Sequence, residues 1–269
     1  MQPQVILITG ASSGFGKITA QMLSAQGHIV YGTSRKLSED MNKVKMLVVD
    51  VTNSLSIRQA VDRILLEQGR IDVLINNAGM GIGGALELAT EEEANIQMNT
   101  NFFGVVNMCR EVLPVMRKNR KGKIINISSI GGVMGIPYQG FYSASKFAVE
   151  GYSEALALEV HPFNIKVCVV EPGDFNTGFT DNRNISEQTR LNTDYGESFR
   201  KSLEIIEKEE RNGCHPRKLA AAICKIVERT NPPFRTKVGP WIQVLFAKSK
   251  KWLPDAVMQY ALRIFYAIK

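Results

Sequence analysis

The sequence predicts an α/β protein: one doubly wound parallel sheet of about seven strands, covered by helices on both faces and folded as a single domain. Three observations carry that expectation. Short, unbroken apolar runs such as Val5-Ile6-Leu7-Ile8 and Val73-Leu74-Ile75 recur along the chain, as strands buried on both faces require. Stretches of helical period separate them. Turns rich in Gly, Asn or Ser follow the runs, so that polar motifs collect at one edge of the sheet.

Size and composition agree. The chain has 269 residues, 44% of them apolar and 22% charged, enough to bury the core of one large α/β unit. Its four cysteines (Cys109, Cys168, Cys214 and Cys224) have neither Cys-x-x-Cys spacing nor a framework pattern. Reduced thiols of a cytoplasmic protein are therefore expected, without disulfide or zinc. The first apolar run begins at Val5, too early for a signal peptide ahead of it. No apolar segment reaches the ~18 uncharged residues of a membrane span. The net charge of +7 comes without a basic stripe interleaved with aromatics, so nucleic acid is not the expected partner. An anionic cofactor or an acidic membrane surface accounts for the charge as well.

The first strand, Val5 to Ile8, runs into Thr9-Gly10-Ala11-Ser12-Ser13-Gly14-Phe15-Gly16, and a helix follows to Gln26 with Gly27 as its C-cap. Strand, glycine-rich turn and helix set backbone N–H groups and a helix N-terminus where a phosphate can sit. The spacing Gly-x-x-x-Gly-x-Gly differs from Gly-x-Gly-x-x-Gly. It differs from a P-loop too, since Ile18 rather than Ser or Thr follows Lys17. A dinucleotide site on a Rossmann-type sheet is expected here. The second strand, His28 to Thr33, ends in Ser34-Arg35-Lys36. An acid at this point would accept from the 2′-hydroxyl of NAD. Arg35 and Lys36 instead set cations where a 2′-phosphate lies, with Ser12, Ser13 or Ser34 as hydroxyl donors, so NADP(H) is expected.

The third strand, Met46 to Val49, delivers Asp50-Val51-Thr52, with Asp50 placed to accept from an adenine amine. An amphipathic helix follows from Ser54 to about Gln68. The strand Asp72 to Ile75 ends in Asn76-Asn77-Ala78-Gly79, where Asn side chains can bridge backbone groups and Gly79 admits a close approach. Gly79 to Gly84 reads as a flexible loop. A long helix is expected from Glu91 to about Lys118, bent at Pro114. Asn95, Asn99 and Asn101 within it run against propensity, which marks one of them as functional.

The fifth strand, Lys123 to Ile127, brings Ser128 and Ser129 to the same edge. A helix from about Phe141 to His161 then carries Tyr142 and Lys146, which share one face at i and i+4. An ammonium near a phenol favours the phenolate, so a Tyr142 pKa below its usual ~10 and general acid–base chemistry are expected. The sixth strand, Ile165 to Val170, leads to Glu171-Pro172-Gly173-Asp174 and Thr177, and Phe234 to Val238 completes the sheet. All these motifs stand at the carboxyl edge, where open α/β sheets bind their ligands.

Thr9-Gly10-x-x-x-Gly14-x-Gly16, Asn76-Asn77-Ala78-Gly79, Asn101, Ser129, Tyr142-x-x-x-Lys146 and Pro172-Gly173 together resemble the short-chain dehydrogenase/reductase family from about Val5 to Val238. Ser128-Ser129-Ile130-Gly131-Gly132 with Glu171-Pro172-Gly173 and Thr177 is similar to its 17β-hydroxysteroid and retinol dehydrogenase branch. The resemblance implies an NADP(H)-dependent oxidoreductase that moves a hydride between nicotinamide and a carbonyl or alcohol carbon. Tyr142 would transfer the proton, Ser129 would hydrogen-bond the carbonyl oxygen, and Lys146 would hold the nicotinamide ribose. Asn101 would anchor a water reaching Lys146, and Thr177 would hold the carboxamide. Gly10, Ser12, Ser13, Gly14, Phe15, Gly16, Ser34, Arg35, Asp50, Val51, Asn77, Ala78, Gly79, Pro172 and Gly173 would complete the cofactor contacts. A dinucleotide-binding regulator without catalysis would be expected to lack one of Ser129, Tyr142 and Lys146, and all are present. The glycine spacing also argues against an epimerase or dehydratase.

Residues 178–215 are polar, with Glu204 to Arg211 read as a solvated helix; the resemblance makes this region the cover of the substrate. The tail, 241–269, holds +4 of the chain's +7 charge among Trp241, Leu245, Phe246, Trp252, Leu253, Tyr260, Ile264 and Phe265. Pro254 divides it into two helices. Two readings stay open: packing on the protein itself or on a second copy, which is favoured, or a monotopic membrane anchor. Either makes a lipophilic substrate (steroid, retinoid or long-chain keto compound) the expectation over a small ketone or aldehyde.

Overall fold

The computed structural model describes residues 2–36, 39–41 and 43–268; Lys269, counted in the tail's charge, lies outside them. The strands are β1 (Val5–Ile8), β2 (Ile29–Ser34), β3 (Val44–Val48), β4 (Val73–Asn76), β5 (Ile82–Gly83), β6 (Gly122–Ile127), β7 (Ile165–Pro172), β8 (Asn184–Ile185) and β9 (Arg235–Val238). The helices are α1 (Gly14–Ala25), α2 (Ser54–Gln68), α3 (Glu91–Met98), α4 (Gly104–Lys118), α5 (Gly140–Glu159), α6 (Glu187–Leu191), α7 (Gly196–Arg211), α8 (Arg217–Glu228), α9 (Trp241–Ser249) and α10 (Asp255–Phe265).

Seven strands form one sheet in the order β3-β2-β1-β4-β6-β7-β9, and each neighbouring pair is parallel. The chain steps outward one way from β1 to β3 and then returns to continue the other way from β4. The crevice therefore opens between the ends of β1 and β4, at the switch point of the sheet. Alternation within β1 sends Val5 and Leu7 into one apolar layer and Ile6 and Ile8 into the other. The first layer packs on α2, α4 and α5 through Ile57, Val112 and Val149. The second packs on α1 and α8 through Leu23, Leu219 and Ile223. Each fully buried Leu or Ile contributes about 1.5–3 kcal/mol.

Local chemistry sets the helix ends. Asn53 Oδ1 accepts from the N–H groups of Leu55 and Ser56, and Gly69 closes α2 at φ 70°. Thr90 and Glu93 form a capping box at the start of α3. A buried polar chain ties β4, β6 and α5 together: Asn76 Nδ2 donates to Asn126 Oδ1 (2.8 Å), and Asn126 Nδ2 donates to Ser153 Oγ of α5 (2.8 Å). It fixes the height of α5 against β4 and β6.

Three expectations change. Gly79 to Gly84 is not simply a flexible loop, because Ile82–Gly83 pairs in parallel with Asn184–Ile185. The long helix is interrupted by a wider π-turn at Asn99–Phe103, while Pro114 stays inside α4. Nor is the end of α7 simply solvated, since Phe199, Ser202, Ile206 and Glu210 are buried along one face. In the tail, Pro254 does separate two helices, α9 and α10. Ala247 and Met258 are the buried residues of these helices, and much of the outer apolar surface is bare.

Candidate active site

The first part of the site is the turn after β1. Gly10 has φ +66°, and a Cβ there would lie 3.0 Å from Ala78 Cα. A Cβ on Gly16 would lie 2.2 Å from the Gly10 carbonyl oxygen, so only glycine lets α1 pack this closely. Thr9 Oγ1 accepts from the N–H groups of Asn77 and Ala78, each at 2.9 Å. Asn77 Nδ2 in turn donates to the carbonyls of Thr9 (2.9 Å) and Gly10 (3.1 Å). These bonds join the ends of β1 and β4 into one rigid rim.

That rim fits a dinucleotide diphosphate. Ser13 begins α1 without a side-chain cap, and the first turn carries no acid. The leading N–H groups of α1 are thus left for an anionic ligand. A Cβ on Gly14, at φ +51°, would meet nothing within 4 Å, so the approach to Ser12, Ser13, Gly14 and Phe15 is open. At the end of β2, Ser34 pairs with Val48 of β3, which brings Ser34 and Arg35 beside Asp50 and Val51. Arg35 and Lys36 are exposed. Asp50 Oδ1 accepts from Thr52 N (2.9 Å) and Thr52 Oγ1 (2.7 Å), so this carboxylate oxygen shapes its own loop.

The second part of the site comes from the π-turn, β6 and α5. The extra residue of the π-turn faces Asn101 inward, where it is fully buried. Its Oδ1 accepts from Met80 N (2.9 Å) and its Nδ2 donates to Met80 O (3.0 Å) and Ser145 Oγ (3.1 Å). Asn101 therefore holds the segment after Gly79 against α5. Ser129 stands at the end of β6 and accepts from Gly131 N (3.0 Å). Its hydroxyl shares a hydrogen bond with Tyr142. Lys146, one turn further along α5, donates to the Ile127 carbonyl (2.9 Å) and lies 5.8 Å from the centre of the Tyr142 ring.

Electrostatics overturn one expectation. Burial pushes the Tyr142 phenol up to about 12, with the Ser129 hydrogen bond acting in the opposite sense. Burial also holds the Lys146 ammonium down at about 8, offset in part by Glu150. Desolvation outweighs the Ser129 hydrogen bond, and Lys146 gives its own bond to the Ile127 carbonyl rather than to the phenol oxygen. Tyr142 is a protonated acid at neutral pH.

A cavity of about 940 Å³, counting the solvent in its mouth, gathers Phe15, Asn77, Gly79, Ser129, Tyr142, Lys146, Pro172, Gly173 and Thr177. Phe179, Thr180, Ile206, Glu209 and Glu210 also stand in its wall, inside the 178–215 region expected to cover the substrate but not singled out in it, and Phe265 and Tyr266 of the tail were not expected there. They come from the loop after β7, from α7 and from the end of the tail, and no local motif marks them. Asp174, also in the wall, had one signal, its position just after Pro172-Gly173. Burial raises its carboxyl to about 6, while Gln243 holds it lower than burial alone would. Glu210 pairs with the buried Arg183 and accepts from Thr180 Oγ1 (2.8 Å).

The model of the short chain dehydrogenase family matches residues 4–188. The chain is 84% identical over 269 residues to a 3-ketodihydrosphingosine reductase of Bacteroides thetaiotaomicron, covering 100% of both. Among solved structures, a short-chain dehydrogenase from Streptomyces avermitilis superposes with a TM-score of 0.84 at 33% identity, over 100% of each chain. A short-chain dehydrogenase from Burkholderia cenocepacia in complex with NADP gives 0.76 at 25% identity, over 96% of this chain and 97% of that one.

Proposed function

The chain belongs to the short-chain dehydrogenase family and is an oxidoreductase, and from that premise we propose that it reduces the ketone of 3-ketodihydrosphingosine with NADPH. The observation that carries this reading is the cavity wall. It joins the Ser129–Tyr142 hydroxyl pair to apolar side chains and to the half-buried carboxylate of Asp174. The substrate of the Bacteroides relative has the matching chemistry, a ketone between an amine-bearing carbon and a long alkyl chain. A carboxyl held near 6 by burial is ionised at neutral pH at a free-energy cost, and an ammonium beside it removes that cost. The apolar wall, including Phe179, Ile206 and Phe265, suits the alkyl chain.

Residues from Gly10 to Gly16 and from Asn77 to Gly79 would hold the dinucleotide, which would supply the hydride. Exposed Arg35 at the end of β2 supports NADPH over NADH, because a guanidinium pairs with a 2′-phosphate. Asn101 and Lys146 shape the nicotinamide side through Met80 and Ile127, and Thr177 lies in the same wall. Ser129 donates a hydrogen bond to the substrate oxygen as negative charge grows there, and Tyr142 delivers its proton to that oxygen. Burial keeps the phenol protonated at neutral pH, the form that reduction uses as its acid.

The test is NADPH oxidation with 3-ketodihydrosphingosine, its N-acetyl derivative and a long-chain ketone lacking nitrogen. The free amine should be preferred at least tenfold in kcat/KM. Equal rates on all three, or faster turnover of small ketones, would overturn the reading.

A further inference from the structure

We infer that the outer faces of α9 and α10, with the segment between them, dock on an anionic phospholipid surface and present the cavity mouth to it. Large apolar side chains stand in solvent along this stretch: Trp241 is 73% exposed, Trp252 86%, Tyr260 65% and Ile264 64%, with Ile242 and Leu245 beside Trp241 among the exposed residues. Singly exposed apolar residues are ordinary, but so many on two consecutive helices and the segment joining them mark an interaction surface.

The helices are held in place from beneath. Gln243 Oε1 accepts from Asp174 N at 2.9 Å, which pins α9 to the end of β7. Ser202 Oγ of α7 donates to Tyr266 O at 2.7 Å, which pins the end of α10. Phe265 and Tyr266 line the cavity that holds Tyr142. Phe265 is itself half-exposed, so the bare stretch reaches the wall of the active-site cavity at this residue and is not a loose appendage.

Charge selects the occupant. Lys248, Lys251 and Arg263 are exposed around the apolar residues, and Asp255 is the single acid between Trp241 and Ile268. A two-fold contact between copies would set this basic patch against itself and cover the cavity rim. An anionic bilayer instead meets the cations with phosphate and carboxylate headgroups. It also receives the Trp and Tyr rings at the interface, where amphipathic side chains settle. Among the described residues no helix is long and apolar enough to cross a membrane, so the contact is with one leaflet. A substrate with a long alkyl chain would then enter from the lipid phase without crossing water. The docking itself does not depend on which substrate is reduced.

The 269-residue chain should co-sediment with phosphatidylcholine vesicles that contain phosphatidylserine, bind poorly to phosphatidylcholine alone, and be released as salt rises. Each interfacial cation contributes roughly fivefold in partitioning. Lys248→Glu with Lys251→Glu should therefore weaken binding at least tenfold, and Leu245→Ser with Trp252→Ser should do the same through the apolar term. All four residues lie outside the catalytic machinery, so turnover of a short soluble ketone should be unchanged in these variants, which also reports that they fold. Absence of vesicle binding by the wild type, or binding that the variants leave intact, would overturn the inference. So would a wild-type oligomer, seen by light scattering, that the Leu245/Trp252 variant converts to monomer, since the face would then be covered by a second copy.

Discussion

Lys146 donates its ammonium to the carbonyl oxygen of Ile127, 2.9 Å away, and meets Tyr142 only across the ring, 5.8 Å from its centre. The last carbonyl of β6 thus sets the position of the cation. Burial then separates the two groups by several pH units, with Lys146 near 8 and Tyr142 near 12. The phenol stays protonated through the whole range in which the amine gives up its charge.

A pH dependence follows from that separation. The reductive kcat/KM should fall with an apparent pKa near 8 as Lys146 deprotonates, because the loss of its charge weakens the hold on an anionic cofactor and on the developing oxyanion. No fall near 10 should be assignable to Tyr142. Steady-state rates between pH 6 and 10 decide this; a profile level to pH 9.5 would contradict the assignment.

Removing the phenol oxygen should remove the acid and little else. Tyr142→Phe is expected to lower kcat by about 10²–10⁴, the usual range for a positioned proton donor. NADPH affinity, followed by fluorescence titration, should change less than threefold. A variant with a tenth of wild-type turnover would show that another group protonates the alkoxide.

Cofactor choice should rest on Arg35. Arg35→Asp replaces a cation with a carboxylate that repels a 2′-phosphate and accepts from a 2′-hydroxyl. A charge-assisted hydrogen bond is worth about 1.5–3 kcal/mol, so the NADPH/NADH ratio of kcat/KM should drop ten- to a hundredfold. An unaltered ratio would place the 2′-phosphate elsewhere.

Asp174 should trade stability for recognition. Its carboxyl rises from 3.8 to about 6 in the folded chain, so between those values the folded state binds more protons than the unfolded one. Stability therefore declines as pH rises from about 4 through 6, and the loss is complete above that. Asp174→Asn should raise unfolding free energy at pH 7.5 by on the order of 1–2 kcal/mol, partial exposure discounting the full shift, with no gain at pH 4. The same variant should lose at least tenfold in kcat/KM on the amine substrate and little on the ketone lacking nitrogen. Urea titrations at the two pH values and parallel kinetics check both halves.

Much of this molecule was legible in its sequence because the governing signals are local. Val5 to Ile8 is a doubly buried strand by composition alone, Gly10 and Gly16 announce a turn that no larger residue could make, and Tyr142 and Lys146 share a face through helical period. Those features determined the fold class and the shared edge of the sheet where the candidate residues stand. Other properties arise only when distant segments meet. The inward turn of Asn101 depends on Met80, whose N–H donates to its amide and whose carbonyl accepts from it, and on Ser145, whose hydroxyl accepts from it. The direction of the Tyr142 shift reversed because desolvation is set by everything packed around the ring, whereas the sequence displays only the neighbouring cation. Asp174, Glu209, Glu210 and Tyr266 form one wall although three separate elements supply them. The bare faces of α9 and α10 were likewise decided in three dimensions. An apolar helix suits a protein interior or a lipid surface about equally, and only its packed neighbours fix which side faces out.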